Sequence, residues 1–361
     1  MRFFCFGSSL VSAYWNGAAT YYRGLLKSLA ERGHTVGFAE PDAFDRQAHR
    51  DMENPHWADV FVYSPDESGM SAALKRATDA DVLVKFSGVG VLDQELESAV
   101  LSIRRSGQLA IFWDVDAPAT LDRMQNSPSD PLRRLVPQYD AIFTYGGGDA
   151  VVRAYMRLGA QNCVPIYNAL DPSTHYPVAP EPRFACDLAF LGNRLPDREA
   201  RVEEFFLKAA ESLPERRFLL GGNGWADKPM PSNVVYAGHV YTREHNAFNC
   251  TPKAVLNVNR ESMARYGASP PTRIFEAAGA GACIISDAWP GIENFLEPGT
   301  EILVADSGES VTQQLAALDN GTARAIGAAA MKRVLREHTY ALRAQQVERI
   351  LAAGTKLSEA V

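Results

Sequence analysis

The sequence predicts an α/β protein made of two doubly wound, parallel-sheet domains. Short β-rich runs alternate with helical stretches almost from end to end, the pattern of strands joined by crossover helices. That alternation breaks once, in a proline-bearing segment near the middle. The chain of 361 residues is also long for one ordinary domain and suits two.

In the first half the predicted strands are RFFCF, TVGFA, DVFVY, DVLVKF, LAIFW, AIFTY and CVPIY. Between the first two, AATYYRGLLKSLAERG places Tyr22, Leu25, Leu26 and Leu29 at helical spacing, and Gly33 is the expected stop. The break is NALDPSTHYPVAPEPRFACD, residues 168–187. Its prolines and its lack of hydrophobic periodicity read as an extended linker. A second series follows: DLAFLG, RFLLGG, VVYAG, AVLNVN, ACIIS and EILVA. The expected organisation is a Rossmann-like domain over 1–172, a second over 173–330, and a C-terminal helix over 331–361. That helix either finishes the second domain or crosses back onto the first. Two such domains face a central cleft, and ligands of doubly wound sheets sit beyond the carboxyl ends of the strands.

Composition narrows the function classes. Hydrophobic residues make up 46% and charged residues 22%, as in a globular protein. With 36 basic against 43 acidic side chains the net charge is -7, which argues against nucleic acid as a partner. Cys5, Cys163, Cys186, Cys250 and Cys283 form no CxxC pair, so a reduced, cytoplasmic setting is expected. No apolar run approaches the ~18 residues of a spanning helix, and the N-terminal run is short for a signal peptide. Any membrane contact is expected to be peripheral.

The residues after each strand carry the functional expectations. The connection from Arg260 to about Pro271 is longer than the ~2–6 residues usual between strand and helix. It ends in SPPTR, where proline suits a first helical turn and Ser269 or Thr272 could cap it. The helix tip is a ready anion site, and Arg273 and Arg260 are placed to add charge-assisted bonds to phosphate. Glu276 follows Arg273 by three residues, on nearly the same helix face. A carboxylate one turn below a phosphate-binding tip suits a ribose diol; the alternative is an Arg–Glu pair on a solvated face. The small residues of AAGAGACIIS let this helix pack closely on its sheet.

RIFEAAGAGACIISD followed by WPGIENFLEPGTEILVADS resembles the donor half of group 1 glycosyltransferases of the GT-B fold. More narrowly, YWNGAATYYRGLLKSLAERGHTV, FWDVDAPATL, DLAFLGN, RRFLLGG and AVLNVNRESM are similar to spore-maturation CgeB-like glycosyltransferases over about residues 1–310. The resemblance implies that Glu276 holds the ribose of a nucleotide-diphosphate sugar and that nearby basic residues hold its diphosphate. Retaining members carry a second glutamate near the transferred sugar; here that position is Ala268, so sugar contacts and stereochemistry do not carry over.

Other loops add candidates. Asn193 and Arg194 follow a strand and, by the resemblance, approach the donor phosphates; a surface loop ending in a helix cap is the plain alternative. Gly221, Gly222 and Gly224 let backbone approach a base or phosphate, or simply form a tight turn. Trp225 is an aromatic that could stack on a base or pack. His239 stands at a strand end as a possible donor contact. In the first domain, Asn16 and Gly17 are expected at a helix start with N–H groups toward the cleft, in a loop without the GxGxxG of nicotinamide binding. Tyr14, Trp15, Tyr21 and Tyr22 offer an aromatic mouth, though core packing accounts for at least two of them. Asp114 and Asp116 have the D-x-D spacing that GT-A enzymes use to bind a metal. The donor signals lie in the other half, so Asp116, and after it Asp114, is read as an acceptor-side general base; a helix cap is the alternative. Glu40 is a second base candidate, and His49 and His175 read as surface or linker residues.

The expected chemistry is glycosyl transfer from a nucleotide-diphosphate sugar without metal or cofactor. Arg194, Arg260, Arg273 and the helix tip would stabilise the departing diphosphate. Polysaccharide, protein and small-metabolite acceptors all suit it. A sugar-nucleotide epimerase of the same architecture and a non-catalytic nucleotide-sugar-binding protein are the alternatives.

Overall fold

The computed structural model describes residues 1–358 apart from Trp15, with backbone alone for Asp197, Ser262 and 354–358. Trp15, one of the aromatics expected at the mouth, lies outside the described residues. The chain divides into two compact units, Met1–Tyr167 with Tyr340–Val361, and Asn168–Thr339.

The first unit is built on seven strands: β1 (Arg2–Phe6), β2 (Thr35–Pro41), β3 (Asp59–Tyr63), β4 (Val82–Phe86), β5 (Leu109–Asp114), β6 (Ala141–Thr144) and β7 (Cys163–Pro165). They lie in the order β3-β2-β1-β4-β5-β6-β7, each pair parallel. Helices cover both faces of such a sheet, which is why the central strands read as unbroken apolar runs. Phe3, Cys5, Phe6, Val82, Ile111 and Phe112 are fully buried. The helix Ala19–Glu31 buries Tyr22, Leu25, Leu26 and Leu29, and Gly33 follows it at φ 90°, a conformation that ends helices at little cost only for glycine.

The last helix, Tyr340–Ser358, belongs to this unit. A Cβ on Gly24 would stand 2.1 Å from the Tyr340 ring, so the missing side chain makes room for the tyrosine. Glu348 then accepts from Arg32 and meets His34 at 2.8 Å.

The second unit repeats the plan with six strands: β8 (Leu188–Leu191), β9 (Phe218–Gly221), β10 (Val234–Gly238), β11 (Ala254–Asn257), β12 (Ile284–Asp287) and β13 (Leu303–Ala305). The order is β10-β9-β8-β11-β12-β13, again parallel throughout. Leu188, Phe206, Phe218, Leu220, Leu256 and Ile285 are among its fully buried core. In both sheets the strand order reverses beside the first strand, between β1 and β4 and between β8 and β11. Ligands of open α/β sheets bind beyond the carboxyl ends of the strands at that reversal.

Two local expectations are corrected. Residues 168–187 contain only a short 3-10 turn at Pro182–Phe184 and a bridge from Leu170 to Thr339, but they are not a free linker. Asn168, Ala169, Leu170 and His175 are buried, and Leu170 packs where a Cβ on Gly279 would otherwise sit. Apolar burial, not periodicity, orders this segment. The long connection after β11 is interrupted by a helix of its own, Glu261–Tyr266.

Candidate functional site

The carboxyl ends of β8 and β11 gather the basic residues of the second unit. Arg273 lies in the first turn of the helix Thr272–Gly279, with its guanidinium over the Phe190 ring at 5.8 Å. Burial lowers its pKa to about 10, with Glu276 pulling it back up and Arg198 lowering it further. Arg198, near the start of the helix Pro196–Val202, reaches the same strand end, where its Nη1 would lie 3.1 Å from a Cβ on Gly192. Two guanidinium groups thus approach the end of β8, and one of them, Arg273, has the Glu276 carboxylate beside it. Desolvated like charges repel, and a bound anion would relieve both. Arg198 was not among the sequence candidates; the signal for it is a basic residue in the first turn after a strand-end loop, PDREARV.

The helix tip differs in detail from the expected one. Pro271 is the N-cap, with no side-chain capping bond, and the Ser269 hydroxyl donates to the Gly267 carbonyl instead. Asn168 donates to the Pro270 carbonyl at 3.1 Å, tying the chain just before the helix. Arg260 occupies the N-cap position of the preceding helix and is half-buried. Glu276 is half-buried and neighbours two histidines, His175 and His245. Ala268, where the second glutamate of related sequences would stand, adopts φ 40° and donates its N–H to Pro290 at 2.6 Å.

The loops after β8 and β9 are stitched to each other. Asn193 accepts from the Asn223 N–H at 2.9 Å, and the Arg194 N–H donates to the Asn223 carbonyl. Arg194 is held by Glu199 at 2.7 Å and Asp227 at 3.0 Å, so phosphate would have to compete with two carboxylates for it. Arg194, with Lys228 on the same carboxylate, holds the Glu199 carboxyl down at about 2. Gly222 stands at φ 117° against the Gly192 carbonyl, which gives it a packing role. Trp225 is fully buried and donates to Gly192 at 2.7 Å, so its ring belongs to the core. His239 is exposed, with Asn223 Nδ2 at 3.4 Å and Tyr241 edge-on.

On the first unit, the loop after β1 is closed around its own polar groups. The Asn16 amide donates to Ser9 and Ser12 carbonyls and accepts from Ser8. Its backbone N–H donates to Ala13, so Asn16 organises the loop and does not aim outward as expected. Gly17 is exposed, and a Cβ there would meet open space. Glu40 is fully buried and accepts from Ser9, Leu10 N–H and Gln47, which makes it the anchor of the same loop and leaves it no path to an acceptor. Tyr21 and Tyr22 are core residues. Tyr14 is exposed and stacks on the exposed His49 at 4.0 Å.

The two aspartates after β5 part company. Asp114 is fully buried and accepts from Ser87, Thr120, Tyr155 and the Asp116 N–H. Burial raises its pKa while those bonds oppose the rise. Four donors lock it into the fold. Asp116 is half-buried at the start of the helix Ala117–Asn126 and makes no side-chain cap, so the cap alternative does not describe it.

Comparison with known proteins bears on the fold. A family model described as glycosyl transferase-like matches residues 198–349, a span that contains Arg198, Arg273 and Glu276. No curated protein matches the chain significantly. Among solved structures it is similar to Anabaena HepE in complex with UDP and glucose, at 12% identity, TM-score 0.67, with 98% of this chain and 100% of that one covered. It is likewise similar to sucrose-phosphate synthase from Thermosynechococcus elongatus, at 13% identity, TM-score 0.68, covering 100% of both. An α-glucosyltransferase in complex with UDP-glucose and DNA containing an abasic site matches at 14% identity, TM-score 0.72, with 98% and 99% covered. No described helix is long and apolar enough to cross a membrane. The chain therefore has the GT-B fold, two parallel-sheet α/β units, with a glycosyl transferase-like match that spans most of the second and the start of the last helix.

Proposed function

We propose that this protein is a glycosyltransferase of the CgeB-like kind, moving a sugar, a hexose in the simplest case, from a nucleotide-diphosphate donor to an acceptor hydroxyl. The observation that carries the reading is the approach of Arg198 and Arg273 to the end of β8, with Glu276 beside Arg273, within the span of the family match. The guanidinium groups take the diphosphate and stabilise the charge that builds on it as the C1–O bond breaks. Glu276 accepts from the ribose hydroxyls. The complexes of HepE with UDP-glucose and of α-glucosyltransferase with UDP support a uridine nucleotide as the first donor to test. Asp116 is the side chain we assign to the acceptor's proton; in a retaining reaction the departing phosphate takes that part. The transfer is metal-independent in this scheme, with arginine charge in place of a cation at the diphosphate, and the setting is cytoplasmic.

The test is a thermal-shift screen of the full chain with UDP, GDP and dTDP sugars, followed by product analysis with the best binder. A stabilising donor that loses its sugar to water or an added acceptor supports the proposal. A donor returned as its epimer points to epimerisation, and no stabilisation by any donor overturns the proposal.

A further inference from the structure

We propose that His175, His245 and Glu276 bind one divalent transition-metal ion of the zinc or nickel type. One ligand atom from each residue lies within 4.8 Å of the other two. Small side-chain rotations would bring all three to the ~2.0–2.2 Å of zinc–nitrogen and zinc–oxygen bonds. Two imidazoles and one carboxylate favour zinc, nickel, copper or cobalt, whereas magnesium and calcium prefer all-oxygen sets.

The site is built, not a chance meeting of surface groups. His175 sits in the buried segment before β8, His245 opens the short helix His245–Cys250, and Glu276 comes from the helix Thr272–Gly279. Asn246 brackets His175, donating to the Thr174 carbonyl at 2.9 Å and accepting from the Tyr176 N–H at 3.3 Å. Each ring has an outer partner: His175 Nδ1 lies 2.9 Å from the Thr174 hydroxyl, and His245 Nε2 lies 3.3 Å from the Val240 carbonyl. A proton donated to that carbonyl leaves the His245 Nδ1 lone pair for a metal, the arrangement that orients histidine ligands. Arg273 is the cation that opposes a metal here.

The cation site stands on these residues alone. That it competes with the nucleoside rests on the reading of Glu276 as the ribose acceptor, since one carboxylate cannot serve both.

The experiment titrates the full chain with ZnCl2 and NiCl2 by calorimetry, with CoCl2 by visible absorption, and with MgCl2 and CaCl2 as controls. One zinc per chain is expected, no heat from magnesium or calcium, and binding weakened roughly tenfold or more in H245Q, H175Q and E276Q. His175 is buried, so H245Q, at a half-buried position, is the decisive variant; it retains all five thiols and so separates this site from cysteine binding. Zinc bound equally well by H245Q and E276Q, both melting cooperatively, would overturn the proposal, as would the absence of any zinc binding. Added zinc is expected to weaken UDP binding in the wild type. If zinc binds through the histidines and UDP affinity is unchanged, the cation site stands and the ribose reading of Glu276 fails. If no zinc binds and E276Q still loses UDP, the reverse holds.

Discussion

A Cβ on Gly222 would stand 2.2 Å from the carbonyl oxygen of Gly192, so the loops that leave β8 and β9 touch backbone to backbone. Gly222 is also at φ 117°, which a side chain rarely tolerates. Gly222→Ala is therefore expected to cost roughly 2–4 kcal/mol, combining strain and overpacking. Chemical denaturation measures it, and a loss below about 0.5 kcal/mol would mean the loops part easily.

Asp114 and Asp116 are expected to separate in their effects. Asp114→Ala strands the Ser87, Thr120 and Tyr155 hydroxyls that point at it and should lower stability by about 2–4 kcal/mol. Asp116→Asn should leave the melting temperature nearly unchanged and slow transfer by roughly 10²-fold or more, the contribution of a general base. Melting curves and turnover with the best donor check the pair. Equal loss of stability in both would remove Asp116 from the chemistry.

His245 gives the second unit a pH dependence whose sign is fixed by burial. Desolvation lowers its folded pKa below the ordinary 6.5, against the pull of Glu276. The unfolded chain therefore binds more protons in that range, and stability rises with pH. The contribution is complete above the unfolded pKa and is lost as pH falls through the folded one. Thermal melts of wild type and H245Q between about pH 7.5 and 5 should show the wild type losing more on acidification. Parallel curves would place the ring in water.

Ala268 holds φ 40° without the freedom of glycine, pinned by Pro290 and beside Gly291, whose added Cβ would lie 3.1 Å from the alanine's own. Ala268→Gly should stabilise by about 0.5–1 kcal/mol, the relief of left-handed strain less the entropy glycine adds to the unfolded chain. Denaturant midpoints of the two proteins decide it.

The strands were legible because each is a nearly unbroken apolar run that a doubly covered parallel sheet requires, as LAIFW and ACIIS show. The pairing of Arg273 with Glu276 was legible in their helical spacing, which places them on one face. What stayed hidden depends on partners distant in sequence. Glu40 resembles an exposed base until Leu10 and Ser9 close over it. Asn16 resembles a helix cap until its amide turns into its own loop. His175 looks like linker until Asn246 and Gly279 enclose it, and no local pattern joins it to His245. Arg198 was overlooked beside Arg194, although it is the former that approaches Arg273.

The central claim is that Glu276 and Arg273 grip a nucleotide donor, and calorimetry of UDP binding to wild type, Glu276→Ala and Arg273→Ala tests it most directly. Each substitution is expected to weaken UDP by about 1–3 kcal/mol, the cost of orphaned hydrogen-bond partners, in proteins that still melt cooperatively. UDP bound with wild-type affinity by both variants would contradict the account.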